Sequence, residues 1–511
     1  MNGHLIDGLS ELRKHQDTTS AEGLPLDVIE HFAVQDPRLH RAVTRAVTVQ
    51  RRLRRLNPDL LNTDERTLGQ RVQSFVLNFY PADAVARFLP LAAEGPWVIT
   101  LHGAVLHDSA GYGMLGLGHA PPQILEVLAL PWPMANVMVP TLAQERFTRR
   151  LRTEIGHTRG ASPYSRFAFL NSGSEAVTLA ARLADTKARL LTESGSRHSG
   201  KRVATMSLEQ SFHGRTYRPA RVSHSTLPTY RRHLASFRRQ DDLCTVPPND
   251  AAALYRAFEE AESSGVYFEA LFIEPVLGEG VPGLAITRPF YDLARELTRQ
   301  AGTLLVVDSI QAGLRAHGCL SLVDQPGFED CRPPDVEVWS KALNAGQFPL
   351  SVIGMTEETA QLYAQGTYGN TMTGNPRAME VGCAVLDAVT PDLRENIRAR
   401  GAELVRELEE LGEEVPGSIT GVTGTGLMVC AEMDPRRFPV GGEGGLEQTC
   451  RELGVMMIHG GRNGMRFTPC FDITSEEIAM MVDVLRQAME LVEMRRRVGH
   501  RGAAPDRHAR P

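Results

Sequence analysis

Two apolar runs, LLVVD ending at Asp308 and VEVWSK ending at Lys341, carry the groups best placed to do chemistry in this 511-residue sequence. Each is dense in Val and Leu rather than alternating with polar residues, the pattern of a strand buried on both faces of a parallel sheet. The carboxylate and the amine therefore arrive at the carboxyl edge of that sheet, where open α/β folds bind ligands. The spacing between them is about thirty residues, roughly one crossover unit. A lysine that holds an aldehyde as a Schiff base, facing an aspartate that keeps a pyridine nitrogen protonated, is the pair that pyridoxal phosphate requires. The chain has only four lysines, Lys14, Lys187, Lys201 and Lys341, among its 55 basic residues. Arginine stays protonated and forms no Schiff base. Lys14 lies in a polar N-terminal segment, Lys187 well inside a helical pattern and Lys201 in a Ser/Gly/Arg loop, so Lys341 alone follows a strand. An isolated Asp308 and Lys341 would also read as strand-end charges in an ion pair, and the surrounding motifs must separate the two readings.

From about 145 to 390 the chain alternates strand and helix patterns in the manner of a doubly wound α/β domain. RFAFL, RVATMSL, EALFIEP, TLLVVD, VEVWS and LSVIGM are its strand candidates. After the first comes NSGSEAVTLAARLADTKARLL, a tight Gly/Ser turn opening a long amphipathic helix, with Ser172 or Ser174 as N-cap. A helix N-terminus with free N–H groups and a flanking hydroxyl is a ready anion site. In SFHGRT, Phe212 is placed to stack on a planar heteroaromatic ring. EALFIEP delivers Glu274, followed by the loop PVLGEGVPG with Glu279, whose glycines permit a close, sharply turning backbone. Gln311, three residues past Asp308, comes within reach of a cofactor's phenolic oxygen. TYGNTMTGNP offers Thr373 as a second phosphate donor. GYGMLG, residues 111–116, matches GxGxxG formally. Pro121 and Pro122 interrupt any helix after it and no acidic residue follows at the required distance, which argues against a dinucleotide site.

Residues 1–85 read as a helical extension, with helical spacing in LHRAVTRAVTVQRRLRRL and TLGQRVQSFVLNFY; packing against the body is its expected role. Residues 86–144 read as the N-terminal part of a smaller domain and a linker, 145–390 as the large cofactor-binding domain, and 391–493 as a C-terminal α+β domain. Residues 494–511, polar and basic, read as a disordered tail. A net charge of −6 gives no reason to expect nucleic acid or an anionic membrane as partner. Seven scattered cysteines without a CxxC favour free thiols and a cytoplasmic location. No apolar run approaches a membrane span or a signal-peptide core.

The order NSGSEA, FHGRT, EPVLGEG, VVDSIQAG, SKALNAG, TGNP and MRFTPCFDIT resembles the class III aminotransferases, the pyridoxal-phosphate group that includes ω-amino acid, ornithine and 4-aminobutyrate aminotransferases. The resemblance spans about residues 90–490. It implies a fold type I α/β transferase acting as a homodimer with shared active sites. Lys341 would be the Schiff-base lysine and Asp308 the partner of the pyridine nitrogen. Gln311 would contact the phenolic oxygen, and Phe212 would stack on the ring with His213 beside it. Ser172, Gly173 and Ser174 would hold the phosphate, joined by Thr373 from the other subunit. Arg466 would grip the carboxylate of the acceptor and Glu279 would neutralise it when an ω-amino donor binds. The activity implied is transfer of an amino group, from an amino acid or terminal amine, to a 2-oxo acid in two half-reactions.

Two positions depart from the pattern: Asp308-Ser309 replaces the commoner Asp-Glu, and Leu277 stands where glutamine is commoner. The stretch SLVDQPGFEDCRPPD also lengthens the path from Asp308 to Lys341. Other outcomes on the same scaffold, a lyase, decarboxylase, racemase or aminomutase, stay open in the sequence, as does a cofactor-free binding protein.

Overall fold

The computed structural model describes residues 2–14, 21–82, 84–133, 138–238 and 242–502. Its centre is a seven-stranded sheet built from β4 (Arg166–Leu170), β5 (Arg202–Leu208), β6 (Leu243–Val246), β7 (Val266–Ile273), β8 (Leu304–Asp308), β9 (Val336–Trp339) and β10 (Ser351–Met355), in the order β4-β10-β9-β8-β7-β5-β6. All pairs are parallel except those of β10, which runs antiparallel to both β4 and β9. The predicted strands are present. The edge strand β6, LCTV, was not anticipated, being short and only half-buried.

Period-two side-chain alternation explains why the central runs are apolar at every position. Ala270, Phe272, Leu304, Val306, Val336 and Val338 face the helix Gly173–Thr192, which contributes Val177, Ala180, Leu183 and Ala184 to the same cluster. Leu271, Ile273, Leu305 and Val307 face the opposite layer, with Phe290, Tyr291 and Ala294 of the helix Arg288–Ala301.

Glu337, in the middle of β9, is fully buried, and it accounts for the departure at Ser309. Its carboxylate accepts from the hydroxyls of Ser309 (2.5 Å), Ser321 (2.5 Å) and Tyr164 (2.7 Å) and from the Leu322 N–H (2.9 Å). Burial pushes this carboxyl up, against those four donors. The turn that follows Asp308 is thus tied to the strand that leads to Lys341. Glu337→Ala leaves four buried donors without an acceptor and is expected to lower stability by about 3 kcal/mol, read as a fall in the urea midpoint.

Two smaller sheets flank this one. β1 (Pro90–Glu94), β2 (Trp97–Thr100) and β3 (Val105–Asp108) are joined by β13 (Val455–Met456), and β11 (Ile419–Gly424), β12 (Val429–Met433), β15 (Gly464–Phe467) and β14 (Ile458–Gly460) form the other. The helix Pro37–Leu56 packs Leu39, Ala42, Val43 and Ala46 into the main cluster, and Gln50 Nε2 donates to the carbonyls of Leu12 and Leu101. The N-terminal helices are therefore built into the body, as expected.

Two expectations change. The helical pattern read across TLGQRVQSFVLNFY ends at Gln73. The residue before Pro81 is pushed out of the helical region, and Asn78 Oδ1 accepts from the Tyr80 N–H at 3.0 Å in a local turn. At the other end, the final helix, Ser475–Gly502, continues into the segment read as a disordered tail. Arg495 bonds Thr449 and Arg437 pairs with Glu493, tying its last described turns to the body. Residues 503–511 lie outside the described residues. No helix among the described residues is long and apolar enough to cross a membrane.

Candidate active site

The segments that follow β4, β5, β8 and β9 converge on a cavity of about 200 Å³ lined by Ser172, Gly173, Ser174, Phe212, His213, Gly214, Asp308, Ile310, Gln311, Ser340 and Lys341. Eight residues singled out in the sequence are thus brought together. Asp308 is buried where β8 ends; its Oδ1 accepts from the Ile310 N–H at 3.1 Å and its Oδ2 lies 2.8 Å from His213 Nδ1. Lys341 follows β9 by two residues, in a left-handed conformation with φ of 44°. Such backbone strain in a non-glycine residue concentrates where side-chain placement matters.

Between the two candidate caps of the first long helix, the structure chooses Ser172. Its hydroxyl accepts from the Glu175 N–H, and Glu175 accepts in return from the N–H groups of Asn171 and Ser172. Ser174 is left to face the cavity, its hydroxyl accepting from the Arg215 N–H at 3.3 Å. Gly214, at φ of 120°, makes this approach possible, because a Cβ there would lie 2.2 Å from Ser174 Oγ. Gly278 does the same for Gln311, whose amide carbon would be 2.2 Å from a Cβ.

Pyridoxal phosphate fits the groups left over. Gln311 Nε2 and His213 Nε2 are buried without a protein partner, a costly arrangement unless a ligand or water completes it. The Ser-Gly-Ser helix start supplies free N–H groups for a phosphate.

Glu279 and Arg466 do not line this cavity but sit beside it. Arg466 Nη1 is 3.1 Å from Glu279 Oε2 and 2.7 Å from the Gly278 carbonyl, and the guanidinium is buried. Burial alone would raise the Glu279 carboxyl; Arg466, then Lys341, holds it below the ordinary value. Burial, followed by the repulsion of Arg466, pushes Lys341 down to about 8 in spite of Glu279, Glu274 and Asp308. Its amine is therefore largely cationic below pH 8 and neutral above it. Capture of pyridoxal phosphate by the apoprotein is expected to quicken with rising pH about a midpoint near 8, followed by the growth of the bound cofactor's visible absorption. A midpoint near that of exposed lysine would contradict the burial argument.

Thr373 stays out of the cavity within one chain, its hydroxyl donating to the Asn370 carbonyl at 2.5 Å. GYG, residues 111–113, forms a single tight turn with no helix until Pro122, consistent with the rejection of a dinucleotide motif. That turn has another use. A Cβ on Gly113 would lie 3.6 Å from Lys341 Cδ, and the Tyr112 hydroxyl bonds that of Tyr80.

Several residues of this neighbourhood had no role in the sequence reading. Glu274 accepts from the N–H groups of Phe212 (2.8 Å) and Gly278 (3.0 Å), joining the stacking ring to the glycine loop; burial, then Asp308, pushes its carboxyl well up. Arg215 lies 5.1 Å above the Phe212 ring and 5.2 Å above that of Phe79, and carries no ion pair among the described residues. Tyr80 packs edge-on against His459 at 5.7 Å. The FHGRT motif contains Arg215 beside Phe212 and His213, so its arginine was the available sequence signal.

The family model for class-III aminotransferases matches residues 81–489. The chain belongs to the class III aminotransferases. It is similar to the acetylornithine aminotransferase of Neisseria meningitidis serogroup A, 30% identical over 408 residues, which cover 78% of this chain and 94% of that one. The acetylornithine/succinyldiaminopimelate aminotransferase of Yersinia pestis is 29% identical, with 81% and 95% covered. Among solved structures, the ornithine aminotransferase of Toxoplasma gondii superposes with a TM-score of 0.71 at 23% identity, covering 86% of this chain and 98% of that one. The N-acetylornithine aminotransferase of Stenotrophomonas maltophilia gives 0.64 at 22%, covering 82% and 98%. The fold is accordingly that of fold type I. This class III aminotransferase is a pyridoxal-phosphate enzyme that moves an amino group from an amine donor to a 2-oxo acid.

Proposed function

We propose that this aminotransferase takes its amino group from the terminal amine of a donor that also carries a carboxylate, and passes it to a 2-oxo acid. The arrangement of arginines carries the reading. Arg466 is already neutralised by Glu279, whereas Arg215 has no ion pair among the described residues and lies over the rings of Phe79 and of Phe212, a residue of the cavity wall. A donor entering amine-first meets no unpaired buried charge at Arg466 and offers its carboxylate to Arg215. In the second half-reaction Glu279 yields, and Arg466 takes the 2-oxo acid's carboxylate bidentately. The names of the acetylornithine and ornithine aminotransferases it resembles support a donor of this shape.

Pyridoxal phosphate, when bound, supplies the electron sink that makes the donor's C–H bond acidic. Lys341 would hold it and, with a donor in its place, would move the proton to and from the carbon bearing the donor nitrogen; burial, which brings this amine down to about 8, keeps both its protonated and neutral forms within reach near neutrality. Asp308, with His213 Nδ1 2.8 Å away, would keep the proton on the ring nitrogen. Gln311 would donate to the phenolic oxygen, Phe212 would stack on the ring, and Ser172, Gly173 and Ser174 would bind the phosphate. In a homodimer, Thr373 would complete the phosphate site of the second subunit, as the family resemblance implies. A cytoplasmic location agrees with seven unpaired cysteines. The large domain at 145–390, the small-domain pieces at 86–144 and 391–493 and the extension at 1–85 remain our division of the chain.

The test is the visible spectrum of the loaded enzyme with a panel of amines and no acceptor. Ornithine-type donors with a terminal amine and a carboxylate should convert the bound cofactor stoichiometrically to its amine form. Conversion by α-amino acids alone would refute the terminal-amine reading.

A further inference from the structure

Arg315, in the turn that follows Gln311, is fully buried and carries no ion pair among the described residues. Its guanidinium donates to three backbone carbonyls, from Nη1 to Leu427 (3.1 Å) and Pro469 (2.6 Å) and from Nε to Gly113 (3.4 Å). Nη2 has no partner, and the group lies 5.0 Å over the Phe471 ring. Burying a cation without a counter-charge opposes folding, and an apolar side chain would fill the same space at lower cost. What Arg315 supplies is connection between segments far apart in the chain. The Leu427 N–H donates back to the Arg315 carbonyl at 3.1 Å, so the bond between those two loops runs both ways.

The Gly113 end of this bridge reaches Lys341. A Cβ on Gly113 would lie 3.6 Å from Lys341 Cδ, so the turn Gly111–Gly113 backs the stem of the lysine. Both backbone polar groups of Gly113 are engaged. Its carbonyl accepts from Arg315, and its N–H donates at 3.2 Å to the Thr468 hydroxyl, which donates in turn to the Ala110 carbonyl. Thr468 directly follows β15, the strand that carries Arg466. The turn is thereby pinned between the loop bearing Gln311 and the strand bearing Arg466.

We propose that Arg315 is a positioning residue for amino transfer: by holding the Gly111–Gly113 turn against the Lys341 stem, it fixes where the amine stands when it moves the donor's proton and keeps water from that stem. The inference rests on the reading of Lys341 as the proton-moving amine and is independent of which amine is the donor. Arg466, Glu279, Glu274 and Asp308 are the charges that face this amine. Arg315 shares no hydrogen bond with any of them among the described residues, so its replacement leaves their contacts in place.

The experiment has two readouts on the full-length protein. In the first, the four lysines of the apoprotein are methylated with isotope-labelled formaldehyde and titrated by NMR, with Lys341→Ala assigning the resonance. Lys341, brought down to about 8 by burial, should titrate closer to the exposed lysines in Arg315→Met, because water reaches the stem once the turn is released. Arg315→Lys, whose ammonium cannot span three carbonyls, should fall between. In the second, the loaded enzyme passes through a single turnover with whichever amine converts the cofactor fastest, carrying hydrogen or deuterium on the carbon bearing the amine. Arg315→Met should lower the saturating rate per bound cofactor by roughly 10- to 100-fold, the scale for slight misplacement of a reacting group, and enlarge the isotope effect. The half-saturating donor concentration should stay near that of wild type.

Thr468→Val, which frees the Gly113 N–H from the other side, should move both readouts in the same direction and carries the test together with Arg315→Lys if the methionine variant does not fold. A merely structural residue would lower the melting temperature and the loaded fraction without moving either readout. A Lys341 midpoint unchanged from wild type, or an unchanged rate per bound cofactor, overturns the proposal. If Lys341→Ala keeps the wild-type rate, the reading of Lys341 falls and the transfer role of Arg315 with it, while the lysine titration still reports whether Arg315 holds the turn.

Discussion

Lys341→Ala should reduce amino transfer by at least about 10⁴-fold, the upper range for loss of a general acid–base, with covalent anchoring lost as well. Among the described residues no other lysine lines the cavity. Lys201, held by Glu262 at 2.6 Å, directly precedes β5 and so lies at the opposite edge of the sheet, and Lys187 lies well along the helix that starts at Gly173. Lys341→Arg should be equally inactive, because a guanidinium neither adds to an aldehyde nor shuttles a proton near neutrality. Single-turnover spectra with a terminal-amine donor are the decisive measurement. Phe212, Gln311 and the Ser172–Ser174 helix start are untouched by the substitution, so the cofactor should still bind noncovalently. Activity within tenfold of wild type would show that the proton is moved by another group.

Asp308→Asn should lower kcat by about 10³-fold, the scale for removing one preorganised charge from a buried site. The amide has nearly the carboxylate's shape and can still accept from the Ile310 N–H, so the turn carrying Gln311 should survive. What disappears is the negative charge proposed to face the ring nitrogen, which lies 2.8 Å from His213 Nδ1. A circular-dichroism melt close to wild type, together with the slowed half-reaction, would separate this electrostatic loss from unfolding. If Asp308→Asn turns over within tenfold of wild type, Asp308 is an ordinary strand-end charge.

The residues that were legible in advance share a physical property: each is specified by its near neighbours in the chain. Asp308 and Lys341 end strands whose apolar runs fix both their burial and the edge at which they emerge. The Gly/Ser turn narrowed the helix cap to Ser172 or Ser174, and the structure makes it Ser172, three residues before Glu175, in a capping box. The same reasoning failed at 74–80, where a helical apolar pattern was overruled by the constraint of Pro81 and the Asn78 turn. The departure at Ser309 was visible in the sequence, but its compensation was not, because the buried acceptor Glu337 lies on the neighbouring strand.

By itself, then, the sequence determined the central strands, the proposed catalytic pair Lys341 and Asp308 as strand-end residues, the Ser-Gly-Ser helix start and the family to which the chain belongs. Tertiary structure alone decided that Tyr80 of the N-terminal segment meets Tyr112 beside Lys341 and that Arg215 lies over Phe79 without an ion pair among the described residues, and it gave the Arg466–Glu279 pair, which only the family resemblance had implied, its contact across 187 residues. Capping and strand burial are encoded by short-range geometry, which any window of sequence contains. Charge pairs and cavity walls between distant segments exist only after long loops have closed and the layers have packed, and no local pattern records which ends will meet.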